Sequence, residues 1–276
     1  MAAPAMERRT IDADPVLAGW GKPPAEWQFD QLKQTYNFPH DQSDRVSMFC
    51  SFIRNEAERM AERNGGDVRG LDIGCGVGIG MRPAATMAVA RCFSEVWGVE
   101  PDAALQLPPA FVRVVNKEFE EAELPDTAFH VAYSYMVMEH VVDPMRFMTR
   151  LYRALAPGGS YLFLTVNGTH YFSRIANALR VSKLDESALH MLFGRKNVHG
   201  YHYPTKYRFN RPSQIEPVCE AAGFEKPEYV YVERTRRLTY MKGPLKLLDD
   251  HFHRSRFKRH DPTRLLDVYC RVRKPL

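Results

Sequence analysis

The sequence predicts an α/β fold built on a doubly wound parallel sheet, and two observations carry that prediction. Apolar runs recur at 68–73, 95–99, 111–115, 129–135 and 160–166, and helix-length segments separate several of them, notably 79–92 and 143–155. The runs are continuous rather than alternating, which is the pattern of strands covered on both faces. The chain is also long enough, at 276 residues with 45% hydrophobic and 26% charged, to bury a full core in one large domain.

Taken in order, residues 1–42 are rich in Pro and Trp ("GWGKPPAEWQFD") with little periodicity, and read as an irregular N-terminal arm packed on a domain spanning 43–276. Ser43 or Asp44 can cap a helix carrying Val46, Phe49, Ile53, Ala57 and Met60 at three- and four-residue spacing, ended by Gly65-Gly66. The strand–helix alternation follows, with "APGGS" (156–160) read as the stop between a helix and the fifth strand. From 167 to 210 the pattern breaks into a stretch full of His, Tyr, Phe, Asn and Arg, helical only around 172–180 and 186–193. A helix near 212–222 ended by Gly223, a strand at 228–233 and a last strand in "LLDVYCRVRKP" complete the chain.

Composition excludes several classes. The five cysteines (Cys50, Cys75, Cys92, Cys219, Cys270) are scattered and odd in number, with no CxxC pair, which argues against a disulfide framework and a structural zinc site. The N-terminus shows no secretory signal and no run of 18 apolar residues exists, so a cytoplasmic setting is expected. A formal charge of +5 permits an acidic partner without demanding one.

The chemistry concentrates in "LDIGCGVG" (71–78). A parallel strand that ends in glycines and turns into a helix makes a ligand site at the carboxyl edge of the sheet, because glycines admit positive φ and let a ligand approach the backbone. A dinucleotide GxGxxG pattern fails in both registers: its third glycine would fall on Ile79 or on Met81. What stands here instead is Asp72, Gly74, Cys75, Gly76 and Gly78, an acid followed by GxGxG.

This stretch resembles the first motif of class I S-adenosylmethionine-dependent methyltransferases. Three further segments follow in the family's order: "VWGVEP", which ends in Glu100 and Pro101, "NKEFEEAELPD", and "SYMVMEHVVDPMRFMTRLYRALAPGGSYLFLTVN". The last is similar to the type-11 methyltransferase pattern of strand, Glu-His, Asp-Pro, helix, Leu-x-Pro-Gly-Gly and strand. The likeness is close over 66–167 and holds only by element order further on; His130 departs from it, standing where the family usually has an acid. The resemblance implies a Rossmann-like, seven-stranded, mostly parallel sheet with an antiparallel last strand and a helical or irregular lid insertion.

It also implies S-adenosylmethionine as cofactor, no metal, and a set of site residues. Asp72 would organise the cofactor's ammonium end, the glycine loop would pass beneath its amino-acid portion and ribose, and Glu100 would accept from both ribose hydroxyls. Glu118 would bind the adenine amine and the backbone of Phe119 would flank the ring, with Glu120 and Glu121 leaving the register open. Ser134, at the end of the fourth strand, completes the cofactor set.

Glu139 and His140 lie just past the fourth strand on the same edge as catalytic candidates, with His140 a plausible base for a hydroxyl acceptor. A structural Glu-His corner is the competing reading. The 167–210 insertion reads as a substrate lid, with His199 and His202 as further base candidates and His170, Tyr171, Tyr201, Tyr203, Tyr207 and Arg208 as acceptor contacts. Aromatics with polar tips suit a small, part-apolar acceptor such as a natural product, quinone or sugar, methylated on a hydroxyl, carbon or amine. His-x-x-His alone makes a weak zinc site.

Nucleic acid is disfavoured as the acceptor. The Asp/Asn-Pro-Pro-aromatic motif of base-amine methyltransferases is replaced by "SYMVMEH". The basic segment 251–260, with four Lys/Arg, three His, Phe252 and Phe257, is too short for a duplex-binding face. That segment reads as a solvated face or as a contact for anionic lipid or a phosphate-bearing partner. A binding module that no longer transfers methyl is the third reading; nothing in the cofactor motifs is eroded.

Overall fold

The computed structural model describes residues 28–32, 39–40, 45–171, 173–174, 205–234 and 264–276. Seven principal strands are β1 Arg69–Ile73, β2 Glu95–Val99, β3 Arg113–Val115, β4 Phe129–Tyr135, β5 Leu155–Val166, β6 Glu228–Arg234 and β7 Asp267–Arg273. They lie in the order β3-β2-β1-β4-β5-β7-β6, and residues 39–40 add a short parallel pairing outside β6. Only β7 runs against its neighbours, β5 and β6. This is the Rossmann-like, mostly parallel sheet expected.

Strand order reverses between β1 and β4, so the chain leaves these two neighbours in opposite directions and opens a crevice at their carboxyl ends. Helices α1 Phe29–Leu32, α2 Arg45–Arg63, α3 Pro83–Ala90, α4 Pro144–Ala154 and α5 Pro212–Ala221 complete the described architecture. Alternate strand residues feed two separate cores. Val131, Tyr133, Leu162 and Leu164 join Phe49, Phe52 and Ile53 of α2. Ala132, Tyr161 and Phe163 join Phe147 and Leu151 of α4 and Ile215 of α5. That two-residue alternation with both sets apolar is what made the strands read as continuous hydrophobic runs.

Local chemistry explains most boundaries. α2 stops at a glycine cap: Gly65 and Gly66 have φ of 66° and 96°, and the Gly66 amide donates to the Ala61 carbonyl at 2.8 Å. α4 starts at Asp143, whose Oδ1 accepts from the Arg146 amide at 3.0 Å, with Pro144 at the first helical position.

Two expected boundaries are corrected. The 79–92 segment is not one helix: a single 3-10 turn spans Ile79–Met81, and α3 begins afresh at Pro83. Gly80 and Met81 take φ near +60°, and Pro83 cannot donate within a helix interior, so the chain must restart there. The helix does stop at Ala154, just before "APGGS", but the strand begins at Leu155 rather than at residue 160. β5 runs unbroken from Leu155, with an irregular register opposite Phe129–Val131 and Gly158 at φ 69°.

The end of the sheet opposite the crevice holds a buried charge network. Arg271, 2% exposed, meets Glu56 at 3.3 Å and Glu228 at 2.7 Å, pairs with Asp30, and lies over the Phe29 ring at 4.5 Å. Glu56 also accepts from Arg59 and Ser160. Removing one partner of such a network leaves an uncompensated charge in the interior. Arg271→Ala should lower stability by about 3–5 kcal/mol in urea unfolding; a loss below about 1 kcal/mol would contradict the arrangement.

Candidate active site

The crevice is built from three chain segments that leave β1, β2 and β4. After β1 the glycine loop turns back on itself. The amides of Gly74 and Cys75 donate to the Val99 carbonyl at 2.8 and 3.2 Å, tying the loop to the end of β2. Gly74 has φ 69°, and a Cβ there would stand 2.5 Å from Val137 Cγ2, so only glycine lets the loop and the turn after β4 close on each other. Gly78, at φ 111°, is enclosed by Thr86 Oγ1, which accepts from the Ile79 amide at 2.8 Å. Thr86 fixes the end of the loop, and no sequence signal marked it.

Glu100 stands at the tip of β2 and grips both sides of the crevice. Its Oε2 accepts from the Gly76 amide at 2.9 Å and its Oε1 from the Asp102 amide at 3.1 Å. Each carboxylate oxygen retains a further lone pair for a ligand hydroxyl. Burial raises its pKa above the usual carboxylate range, partly opposed by those two amides, and Asp102 and Glu118 add to the rise.

Asp72 is 2% exposed, and its Oδ2 has no hydrogen-bond partner among the described residues. Burial and then the charge of Glu100 push its carboxyl well above the normal range. A cation brought beside these two acids would favour their ionised forms. An orphaned buried carboxylate, a backbone open above Gly76 and a two-oxygen acceptor at Glu100 fit S-adenosylmethionine, which offers an ammonium and a ribose diol.

The remaining cofactor candidates divide. Pro101 is half-buried and Glu118 exposed beside this crevice, while the Phe119 side chain is buried 4.5 Å from Phe147, which leaves its backbone to face a ligand. The Ser134 hydroxyl lies in the core, 2.6 Å from that of Tyr161. His130, the departure from the family pattern, accepts from the Arg69 amide at 3.0 Å through Nδ1 and braces the far end of β1.

A family model described as a methyltransferase domain matches residues 43–228. The chain belongs to the class I S-adenosylmethionine-dependent methyltransferases. Two curated relatives are ubiquinone biosynthesis O-methyltransferases. That of Psychrobacter arcticus is 26% identical over 191 residues, covering 56% of this chain and 70% of its own. That of Nitrosococcus oceani is 29% identical over 186 residues, covering 63% and 68%. Among solved structures, an S-adenosylmethionine-dependent methyltransferase from Archaeoglobus fulgidus aligns over 82% of this chain and 94% of its own, at 16% identity and a TM-score of 0.49.

In this methyltransferase the turn after β4 carries Glu139 and His140. Met136 has φ 57° and its amide donates to the Leu164 carbonyl at 2.8 Å, and the His140 amide donates to Val137 at 2.9 Å. Glu139 is 2% exposed and accepts from Thr165 Oγ1 at 3.0 Å through Oε2. Burial lifts its pKa to about 7, with Thr165 and Arg45 pulling the other way and Asp267 pushing up. Arg45 pairs through two nitrogens with Asp267, the first residue of β7. Glu139 is therefore enclosed among Thr165, Arg45 and Asp267, and half-buried His140 is the more accessible of the two.

Of the acceptor candidates, His170 is 1% exposed with its ring 4.5 Å from Tyr171, Tyr207 is half-buried with φ 51°, and Arg208 Nη1 donates to the Val142 carbonyl at 2.7 Å. His199, Tyr201, His202 and Tyr203 lie outside the described residues, as do the expected helix at 186–193, all but residues 173–174 of the one at 172–180, the cap at Ser43 or Asp44 and the basic segment 251–260. Among the described residues no cluster of three or more His, Cys, Asp or Glu could hold a metal ion, and no helix is long and apolar enough to cross a membrane.

Two outcomes follow from this geometry. Glu100→Ala should weaken S-adenosylmethionine binding roughly tenfold or more, since each charged hydrogen bond contributes about 1.5–3 kcal/mol; unchanged affinity by calorimetry would refute the ribose role. Glu139 rises from 4.5 in the unfolded chain to about 7 in the fold, so the stability it confers is complete below the lower value and lost as pH climbs through the upper one. Between about pH 4 and about pH 8 the wild type should lose about 3 kcal/mol more than Glu139→Gln. Parallel stability curves in urea would remove the case for a buried titrating Glu139.

Proposed function

We propose that this methyltransferase moves the methyl group of S-adenosylmethionine to a hydroxyl of a small, part-apolar molecule. The observation that carries the reading is the contact between Val137 and Gly74, which holds the Glu139–His140 turn against the glycine loop. Base and cofactor cradle thereby share one crevice at the β1/β4 reversal. The names of the two curated relatives, both O-methyltransferases, support the same choice.

When bound, S-adenosylmethionine supplies a methyl group activated by a sulfonium. The protein's part is to hold, orient and deprotonate. Asp72 and Glu100 fix the two ends of the nucleoside amino acid, and Glu118 offers an exposed carboxylate for the adenine amine. Alignment of acceptor and methyl donor can supply roughly 7–11 kcal/mol without covalent help from the protein. His140, at the accessible side of the turn after β4, takes the proton of the acceptor hydroxyl. Tyr207, half-buried with its amide on the Glu139 carbonyl, contacts the acceptor.

The deciding experiment incubates the protein with isotope-labelled methyl donor and a panel of catechols, sugars and aromatic amines, and reads products one methyl heavier by mass spectrometry. Labelled ethers from the hydroxylated members are expected; labelled amines alone, or binding with no product from any extract, would overturn the reading. His140→Ala should lower turnover by about 10²–10⁴-fold with cofactor affinity unchanged, and near-normal turnover would rule out His140 as the base.

A further inference from the structure

The insertion leaves β5 at Asn167 and re-enters the described fold at 205–210, and both of its roots converge on one buried side chain. Asn210 is fully buried, and its Nδ2 donates to Thr165 Oγ1 at 2.5 Å and to the Val166 carbonyl at 3.2 Å. Its carbonyl accepts from the Gly168 amide at 2.8 Å, so the outgoing and returning strands of chain are clasped to each other. Thr165, also fully buried, donates a hydrogen bond from its hydroxyl to Glu139 Oε2 at 3.0 Å. The Glu139 carbonyl in turn accepts from the amides of Lys206 and Tyr207 at 2.6 and 3.1 Å. The returning root is thus held at one end by the Glu139 backbone and at the other by Asn210, with Thr165 joining the two through side chains.

The directions in this relay are fixed by chemistry. An amide nitrogen can only donate and an ionised carboxylate only accept, so the Thr165 hydroxyl must accept from Asn210 and donate to Glu139. Valine at 165 would keep the volume and lose both bonds at once, leaving Glu139 Oε2 without its Thr165 partner and one of the two Asn210 N–H donors unpaired. Asn210 Oδ1 has no partner among the described residues and is equally buried, so the Asn210 amide is oriented by Thr165 and Val166 rather than by its oxygen.

We propose that Thr165 and Asn210 are positioning residues of the methyl transfer: acting through Glu139, they set where the returning root of the insertion, and with it Tyr207, is held against the turn after β4. This rests on the reading that the insertion seats the acceptor, and it moves Glu139 from chemistry to positioning. Neither residue touches the cofactor loop, so acceptor handling should change while cofactor binding does not.

The test compares Thr165→Val with Thr165→Ser, which restores the hydroxyl. Amide exchange in a peptide covering 205–211, followed by mass spectrometry, should quicken roughly tenfold in Thr165→Val, the scale of one lost buried hydrogen bond, and return to wild-type rates in Thr165→Ser. With 3,4-dihydroxybenzoate as acceptor probe, Thr165→Val should raise the acceptor KM at least fivefold, with kcat within about twofold and S-adenosylmethionine affinity unchanged; Thr165→Ser should recover the KM. Equal exchange rates in all three proteins, or loss of cofactor affinity alongside KM, would overturn the positioning role. No methylation of the probe by the wild type would count against the hydroxyl-acceptor reading instead, and the exchange comparison would still decide the relay. Asn210→Ala, which removes the donor without touching Thr165, should reproduce the Thr165→Val exchange pattern.

Discussion

The bonds from the amides of Gly76 and Asp102 to the two oxygens of Glu100 hold the crevice together. They join the end of β2 to the glycine loop of β1, and the loop in turn packs through Gly74 on the turn after β4. The carboxylate ties two strand ends, and the Gly74–Val137 packing brings in the third. The cost is visible beside it: Asp72 is buried with an unpartnered oxygen, and both acids are pushed toward their neutral forms. Two neighbouring acids in a low-dielectric cleft suit a ligand that brings a positive charge and hydroxyl donors. The same cleft discourages a pyrophosphate, which would add negative charge to it.

Buried polar groups also divide the protein into two ends. Arg271, Glu56, Glu228 and Arg59 close the end where the parallel strands begin, together with Asp30 and Phe29 of α1. Arg45, Asp267, Glu139, Thr165 and Asn210 close the end where the parallel strands finish. Interior charge is expensive unless every member is paired, and each set joins segments far apart in sequence. The first joins α1, α2, β6 and β7; the second joins α2, the turn after β4, β5, β7 and the returning root of the insertion. The second set lies directly behind the proposed catalytic edge.

Much of this was legible in the sequence because periodicity and glycine chemistry are local. β2 and β4 begin and end where their apolar runs do, and Asp72, Gly76 and Glu100 are neighbours in space because strand order forces them to be. What stayed hidden depends on tertiary pairing. Thr86, Thr165 and Asn210 are ordinary polar residues in sequence, and only folding brings them to the loop and the turn. Phe119 and Ser134 fall within the cofactor motifs, yet their side chains point into the core, because a motif fixes a backbone position and not which face of the chain it presents. Apolar spacing across 79–92 does not show the break that Pro83 forces, and Gly158-Gly159, a turn signal in sequence, lie inside β5 where its register on β4 shifts.

The central claim is that Glu100 and the glycine loop clasp a sulfonium nucleoside between them. A crystal structure with S-adenosylhomocysteine tests it most directly. The account predicts the ribose diol on the Glu100 carboxylate, with the amino-acid end over Gly74–Gly78 toward Asp72. Ribose density away from Glu100, or a nucleoside bound elsewhere with Asp72 still unpartnered, would contradict it.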